Sequence, residues 1–205
     1  MSQITLSGNA SGTGVFTIAS PNSNSNYTQT LPAATGTLYI PGTTVSNIQS
    51  GTAVASTSGT SIDFTSIPSW VKRITVMFNG VSLSSTAQVL IQLGVGSTPT
   101  TTGYLSGQVY VLIGGGGTNG TSSTSGFVLQ AGAAVYTLNG SLTLNLLNSS
   151  TNLWTGSGVM YNQTSVPLIT SSAGVVALSG TLGMVRITTT GADTFDAGSI
   201  NILYE

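Results

Sequence analysis

The side chains that could carry acid–base, metal or nucleic-acid chemistry are few in this chain of 205 residues. It has no histidine and no cysteine, so neither a Ser-His-Asp nor a Cys-His nucleophile system can be assembled, and a zinc site lacks its usual ligands. The basic residues Lys72, Arg73 and Arg186 are too few to neutralise the phosphates of a nucleic-acid duplex. We therefore expect no enzyme, no cofactor, no metal and no nucleic-acid partner.

Four carboxylates leave two arrangements that could still do chemistry. Asp193 and Asp196 lie close together in the chain and could bind Ca²⁺ together with backbone oxygens. Asp63 with either of them could form the carboxylate pair of a glycosidase, whose separation is roughly 5 to 9.5 Å. The structural alternative is that Asp193 caps a turn and Asp196 pairs with Arg186 across a hairpin. We favour this alternative, because four acids give little choice of further ligands.

Two of the three basic residues are neighbours in the sequence. Lys72 and Arg73 are adjacent, so on a strand their side chains point to opposite faces. A charge that faced the interior would need an acidic partner. Asp63, or Glu205 of a neighbouring chain, could supply it.

Apolar residues alternate with polar ones along several segments and do not recur at helical spacing, which is the pattern of half-buried strands. The segments are Val71–Phe78, Gln88–Leu93, Ser141–Leu147, Trp154–Tyr161, Val175–Leu178, Met184–Thr188 and Ser199–Tyr204. Turn-forming residues separate them, namely Asn79-Gly80, Gly94, Asn139-Gly140, Ser179-Gly180 and Gly191. This spacing predicts an all-β fold, an antiparallel jelly-roll-like sandwich.

The composition indicates a folded chain with an unusual surface. Only 3% of the residues are charged, but 40% are hydrophobic and the mean hydropathy is +0.34. Disordered chains combine low hydrophobicity with high net charge, so this chain can bury a core. No run approaches the roughly 18 apolar residues of a membrane helix. Residues 1–8 also lack the pattern of a secretory signal, so we expect no membrane insertion.

Two zones differ in their content of large apolar residues. Residues 1–48 hold only brief strand-like pieces, and two-stranded units of that size are marginal alone in water. We expect this zone to be a short, intertwined β-rich segment for attachment and trimerisation, whose open edges are covered by neighbouring copies. Residues 49–205 have enough apolar strands for one sandwich domain that folds independently. The pieces in the first zone are Gln3–Leu6, Gly14–Ala19, Tyr27–Leu31 and Gly36–Ile40.

Five residues are candidates for contacts with a receptor: Trp70, Tyr104, Tyr110, Asn119 and Trp154. Each tryptophan could stack on a sugar from an exposed position. The favoured alternative is that each packs as a core residue or closes an end of the sandwich, with its indole N–H hydrogen-bonded.

The other three candidates lie in the region 94–126, which is Gly-rich and polar and contains the run Gly114–Gly117. Loops held by a rigid sheet are where binding residues commonly lie. We therefore predict that this region is an exposed recognition edge. The alternative is a passive or intersubunit loop.

Three segments of the chain carry a resemblance to a known family. They are "SIDFTSIPSWVKRITVMFNGVSLSS" (Ser61–Ser85), "ALSGTLGMVRITTTGADTFDAGSINILYE" (Ala177–Glu205) and "ASPNSNSNYTQTLPAATGTL" (Ala19–Leu38). The first resembles a segment near the carboxyl end of tailed-bacteriophage fibre and tail proteins, the second resembles their last residues, and the third resembles the linker-and-strand unit of their shafts. Together these segments cover about a third of the chain.

The resemblance implies an elongated homotrimer on the virion exterior, assembled in the bacterial cytoplasm. Its β-structured distal domain would bind the host surface, with a host glycan as the expected partner, and residues 1–48 would dock on tail, baseplate or capsid proteins. Because the shaft-like unit begins almost at Met1, a head fibre or capsid decoration protein is the alternative, and a depolymerising tailspike is a third. The resemblance supplies no receptor-contact residues.

Overall fold

The computed structural model describes Ser11, Thr13 and residues 24–26, 48–130 and 134–205. The chain divides into two compact units, Met1–Thr43 and Thr44–Glu205. The four strand-like pieces expected in residues 1–48 lie outside the described residues. The described part of the chain contains no helix that could span a membrane.

The second unit is built from strands, as the alternating pattern predicted. In chain order they are β1 (Gln49–Ser50), β2 (Val54–Ala55), β3 (Ser61–Thr65), β4 (Arg73–Leu83), β5 (Val89–Val95), β6 (Thr98–Pro99), β7 (Leu105–Leu112), β8 (Thr118–Ser123), β9 (Phe127–Val128), β10 (Thr137–Asn148), β11 (Leu153–Gln163), β12 (Leu168–Ala177), β13 (Leu182–Thr189) and β14 (Phe195–Tyr204). All seven segments predicted to be strands fall largely or wholly within these elements.

The strands form two antiparallel sheets. The larger sheet has the order β1-β14-β4-β10-β11-β12-β7-β8, with β2 also paired to β14. The smaller sheet has the order β3-β13-β5, with β6 and β9 both paired to β5. The all-β sandwich is confirmed. The jelly-roll arrangement is not confirmed, because the sheets hold nine and five strands and β10, β11 and β12 lie side by side as a meander.

One core lies between the sheets, and the alternation along each strand decides which side chains enter it. In β4, Ile74 and Val76 are fully buried, whereas Thr75 between them is half-buried and Arg73 before them is exposed. Val185 and Ile187 of β13 supply the facing side of the same core from the smaller sheet. Burial of such side chains stabilises the fold by about 1.5–3 kcal/mol each.

A row of glycines crosses the larger sheet where two turns were predicted. Gly80 and Gly140 lie inside β4 and β10, so the prediction of turns at these Asn-Gly pairs is wrong. Their φ angles are 63° and 136°, and Gly198 of β14 has a φ of 93°. The pairing of β4 shifts on both sides at this level, which marks β-bulges. The Gly80 N–H donates to the side-chain oxygen of Asn139 at 2.8 Å, a partner in the neighbouring strand.

The other turn signals behave more simply. Ser179 and Gly180 form the bend between β12 and β13, and Gly191 lies in the bend before β14, as predicted. Gly94 lies inside β5, two residues before the turn at Gly96. The glycine run at 114–117 joins β7 to β8. All four glycines have positive φ angles, a backbone conformation that residues with a Cβ rarely adopt.

Candidate functional site

Tyr104 is a core residue, which corrects its assignment as a surface contact. Its side chain is 0% exposed and its ring meets Phe127 edge to face, with centroids 5.3 Å apart. The Leu93 N–H donates to the Tyr104 hydroxyl oxygen at 2.7 Å. The hydroxyl therefore accepts the hydrogen bond of a buried β5 backbone N–H inside the sandwich. The Tyr104 side chain is not available to a receptor.

The buried phenol makes stability depend on pH at the alkaline end. Desolvation raises the pKa of Tyr104 to about 12, although its hydrogen bond with the Leu93 backbone opposes part of the rise. In the unfolded chain this tyrosine ionises with a pKa near 10. Its contribution to the free energy of unfolding is therefore fully present below pH 10 and is lost as the pH rises from 10 to 12. We expect urea unfolding to show a loss of about 2–3 kcal/mol over this window from this residue.

The matched variant is Tyr104→Phe, which keeps the ring and removes the ionisable group. It should be less stable at neutral pH, since the Leu93 N–H loses its partner, by about 1–3 kcal/mol. Its stability should also fall less steeply than that of the original protein between pH 10 and 12. Equal slopes in the two proteins would contradict the assignment.

Trp154 is also buried, and its assignment as a receptor contact is corrected in the same way. The side chain is 2% exposed and belongs to the core cluster. It lies in β11 opposite Leu146 of β10 and Val176 of β12. The favoured alternative of a packed residue is the one that the structure supports.

Tyr110 and Asn119 are brought together at the edge of the larger sheet. They are directly opposite each other in the β7–β8 pair, with Tyr110 half-buried and Asn119 exposed. The region 94–126 is therefore not one long loop, because β6, β7 and β8 account for half of it. Its hydrophobic alternation is short and interrupted by glycine, which is why the strands were missed.

Trp70 is the exposed aromatic candidate, and it lies at one end of the sandwich. Its side chain is 46% exposed, in a turn closed by the Val71 N–H donating to the Pro68 carbonyl at 3.1 Å. The ring packs against Tyr204 of β14 at 6.0 Å between centroids and an angle of 43°. About half of the indole is thus held by the protein while the other half faces solvent.

A cleft of about 90 Å³ opens beside the Trp70 turn. Polar residues line it from three segments of the chain: Ser69 and Lys72, on either side of Trp70, Ser149 and Asn152 from the β10–β11 turn, and Thr181 before β13. Trp154 and other apolar side chains complete the lining. Asn152 holds a left-handed conformation with a φ of 49°, and its carbonyl accepts from the Leu178 N–H at 3.1 Å, so the turn is fixed in place.

Charged groups gather at this same end of the sandwich. Arg73 forms an ion pair with Glu205 of its own chain, whereas Asp63 or the Glu205 of a neighbouring chain had been considered as partners. The backbone N–H groups of Lys72 and Arg73 donate to the Glu205 carbonyl at 2.7 and 2.9 Å. Within the described residues the Lys72 ammonium has no ion-pair partner. Among the described residues, Lys72 is therefore a cleft-lining residue whose positive charge is not neutralised by an ion pair.

The expected pair of Arg186 with Asp196 is wrong. Arg186 instead holds Asp63 through two hydrogen bonds of 2.7 Å, because β13 pairs with β3 and places these residues opposite each other. Asp196 accepts from the Ser82 hydroxyl. Asp193 caps a backbone N–H, as expected of a turn residue, but the group is that of Ala87 in another loop, at 2.6 Å.

These contacts leave little for the chemistry considered for the carboxylates. Both oxygens of Asp63 accept from Arg186, and Asp193 and Asp196 are bound to separate partners. No group of three or more metal-ligating side chains is present in the described part of the chain. The arrangement favours structural roles for all three residues.

The outer face of the larger sheet carries an exposed apolar surface that sequence reasoning missed. Its residues are Val109 and Val111 of β7, Val159 and Tyr161 of β11, and Ile169 of β12. Val111 lies opposite Ile169, which in turn lies opposite Tyr161, so they form one row across three strands. One feature of the sequence could have indicated this surface. Val109 and Val111 flank Tyr110 in β7, so this strand has large side chains on both of its faces. We call this set the outer apolar face.

The chain was also compared with known proteins at the level of family, sequence and structure. No protein-family model, no curated protein and no solved structure matches it.

Proposed function

We propose that this protein is a homotrimeric phage fibre or fibre tip that attaches the virion to a host surface. The observation that carries the proposal is the outer apolar face. Strands β7, β8, β10, β11 and β12 contain no charged residue, and the five apolar side chains of this face lie exposed among their serines, threonines and glycines. The segments that resemble fibre proteins add to this support.

A charge-free apolar face fits assembly with other protein. Large exposed apolar patches mark interaction surfaces, and the centres of protein interfaces are poor in charged residues. Burying Val159, which is 55% exposed, together with its neighbours would desolvate no charge. The surface therefore suits a partner of the same composition, such as a second copy of this chain.

The edge strand β8 supports the same proposal. Exposed edges are ordinarily protected from pairing by lysine, proline or a covering segment. The sequence of β8, Thr-Asn-Gly-Thr-Ser-Ser, has neither a charge nor a proline. No charge or proline within β8 itself therefore opposes backbone contact with another chain.

Light scattering on the purified protein tests the oligomer directly. We expect a mass of about 62 kDa for the full chain, three times 20.6 kDa. If residues 1–48 hold the trimer together, residues 44–205 alone will be monomeric, whereas a trimeric fragment would assign the contact to the sandwich. A full chain that remains at 20.6 kDa at micromolar concentration would overturn the proposed trimer.

Attachment needs its own experiment, because a trimer could lie anywhere on a virion. Antibody labelling of intact particles should place the protein at the tail, and added trimer should compete with particles for adsorption to host cells. Labelling on the head would favour the alternative of a head fibre or decoration protein. If capsular polysaccharide became shorter after incubation with the purified protein, the result would favour the tailspike alternative.

A further inference from the structure

We propose that the end of the sandwich around Trp70 binds an acidic saccharide, with the sugar ring on the indole and its acidic group in the cleft beside Lys72. This deepens the proposed attachment function and rests on it, because it names the ligand class and the residues. Trp70, Lys72, Ser149 and Asn152 are the residues that carry the inference.

The first step is the aromatic surface. A tryptophan that is 46% exposed can offer ring surface to a ligand, and its contact with Tyr204 fixes the orientation of that ring before binding. The faces of aromatic rings are negatively polarised, so they attract the C–H groups on the flat side of a pyranose. A pre-oriented ring loses little conformational entropy when it binds.

The second step is the cleft. It offers polar groups to a ligand, whereas the ring of Trp70 offers an apolar surface. Ser69, Ser149, Asn152 and Thr181 line it, and side chains with hydroxyl and amide groups can hydrogen-bond to a sugar substituent. A volume of about 90 Å³ is several times the roughly 10–15 Å³ that a single water needs, so the cleft can admit a substituent of a sugar. In the proposed arrangement the ring itself lies on Trp70, outside the cleft.

The third step is charge, which decides what the substituent is. Lys72 lines the cleft, while nearby Arg73 is neutralised by Glu205. A carboxylate or phosphate on the sugar would gain a charge-assisted hydrogen bond from the ammonium. A neutral hydroxymethyl group could accept a hydrogen bond from the same ammonium but would form no ion pair with it. The shared chemistry is thus an anionic group carried by a hexose.

The expected affinity of one site is low. The contacts are partly exposed, and exposed ion pairs contribute little in water. Dissociation constants in the millimolar range are consistent with one stacked ring and a few hydrogen bonds. Three copies in one trimer would raise the avidity for a repeating polysaccharide without any further contact.

The test uses three sugars that differ only at carbon 6: glucose, glucuronate and glucose 6-phosphate. Each is titrated to tens of millimolar into ¹⁵N-labelled full-length protein at constant ionic strength. The chain has two tryptophans, so Trp70→Phe assigns the Trp70 indole N–H signal. We expect saturable shifts of this signal with one or both acids and at least threefold weaker binding of glucose. The two acids distinguish a carboxylate ligand from a phosphate ligand.

The variants separate the site from general charge effects. Lys72→Gln should weaken binding of the acid about three- to fivefold, as expected for an exposed ion pair. Arg186→Gln makes the same change in net charge elsewhere and should leave the affinity unchanged. In Trp70→Ala, binding is followed through the backbone signals of Ser149 and Asn152 and should weaken about tenfold.

Three results would overturn the proposal: no saturable shift with any sugar, equal binding of glucose and both acids, or full acid binding by Lys72→Gln. Because the titration uses isolated protein, it reports on the site alone. Failure of the trimer to compete for adsorption would instead overturn the attachment function. The two failures are therefore distinguishable.

Discussion

Replacing Gly198 by alanine is expected to lower the free energy of unfolding by about 3–5 kcal/mol, because a backbone clash and backbone strain act together at this position. A Cβ at this position would lie 2.6 Å from the Asn79 carbonyl oxygen and 2.5 Å from the Gly80 carbonyl carbon, and closer still to the Gly80 oxygen. These are backbone atoms of the paired strand β4, so they cannot move aside without breaking the bulge. The φ of 93° adds strain of its own. The midpoint temperature of thermal unfolding should fall by about 8–16 °C.

Gly103→Ala is the matched control. Gly103 has a similar φ of 82°, but a Cβ there would meet nothing within 4 Å. The cost should be only the conformational part, about 1–2 kcal/mol. The difference between the two variants measures the steric clash between β14 and β4. Equal losses in stability would mean that the bulge relaxes freely.

Trp154→Ala should destabilise the sandwich by about 3–5 kcal/mol, as large aromatic deletions from a core do. The indole is 2% exposed and packs between Leu146 and Val176 of the neighbouring strands. Its removal leaves a cavity that opens toward the cleft, so water can enter where apolar side chains now meet. Urea unfolding followed by circular dichroism measures the loss without depending on tryptophan fluorescence.

Trp70→Ala is the same substitution at the exposed tryptophan and serves as the control. Trp70 makes one aromatic contact, with Tyr204, and about half of its surface is already in water. We expect a loss of about 1 kcal/mol. A loss as large as that of Trp154→Ala would show that Trp70 closes the core and would argue against a surface free to bind sugar.

Much of the fold was predictable because burial imposes a period of two on each strand. Ile74 and Val76, or Leu142 and Leu144, can share one face only in an extended chain, and the structure buries them together. Positions near the ends of strands were harder. Local sequence does not say where pairing with a neighbour stops, which is why β4 and β10 extend beyond their predicted limits.

The Asn-Gly pairs show why local turn signals can fail. Glycine readily adopts a positive φ. This conformation is required both in a two-residue turn and in some bulges within a long strand, so an Asn-Gly pair is compatible with either. Gly80 lies in a bulge because β10 continues alongside and the Asn139 side chain bonds to its N–H. Only the neighbouring strand distinguishes the two outcomes, and that information is not local.

The site was predictable in its residue types but not in its positions. An aromatic at the start or end of a strand can face the core or the solvent, and Tyr104 and Trp154 proved to be buried while Trp70 did not. The partners of charged residues follow from the order of strands. Arg186 meets Asp63 because β3 lies beside β13, a pairing across more than a hundred residues.

The larger sheet ends differently on its two sides, and this constrains the symmetry of any complex built through it. Among the residues that the structure describes, one margin is the six-residue strand β8, whereas the other carries β1 and β2, which have two residues each. Joining like margins gives a two-fold dimer that is closed to further addition. A three-membered ring instead requires head-to-tail contacts between unlike surfaces, and this asymmetric sheet possesses a pair of them.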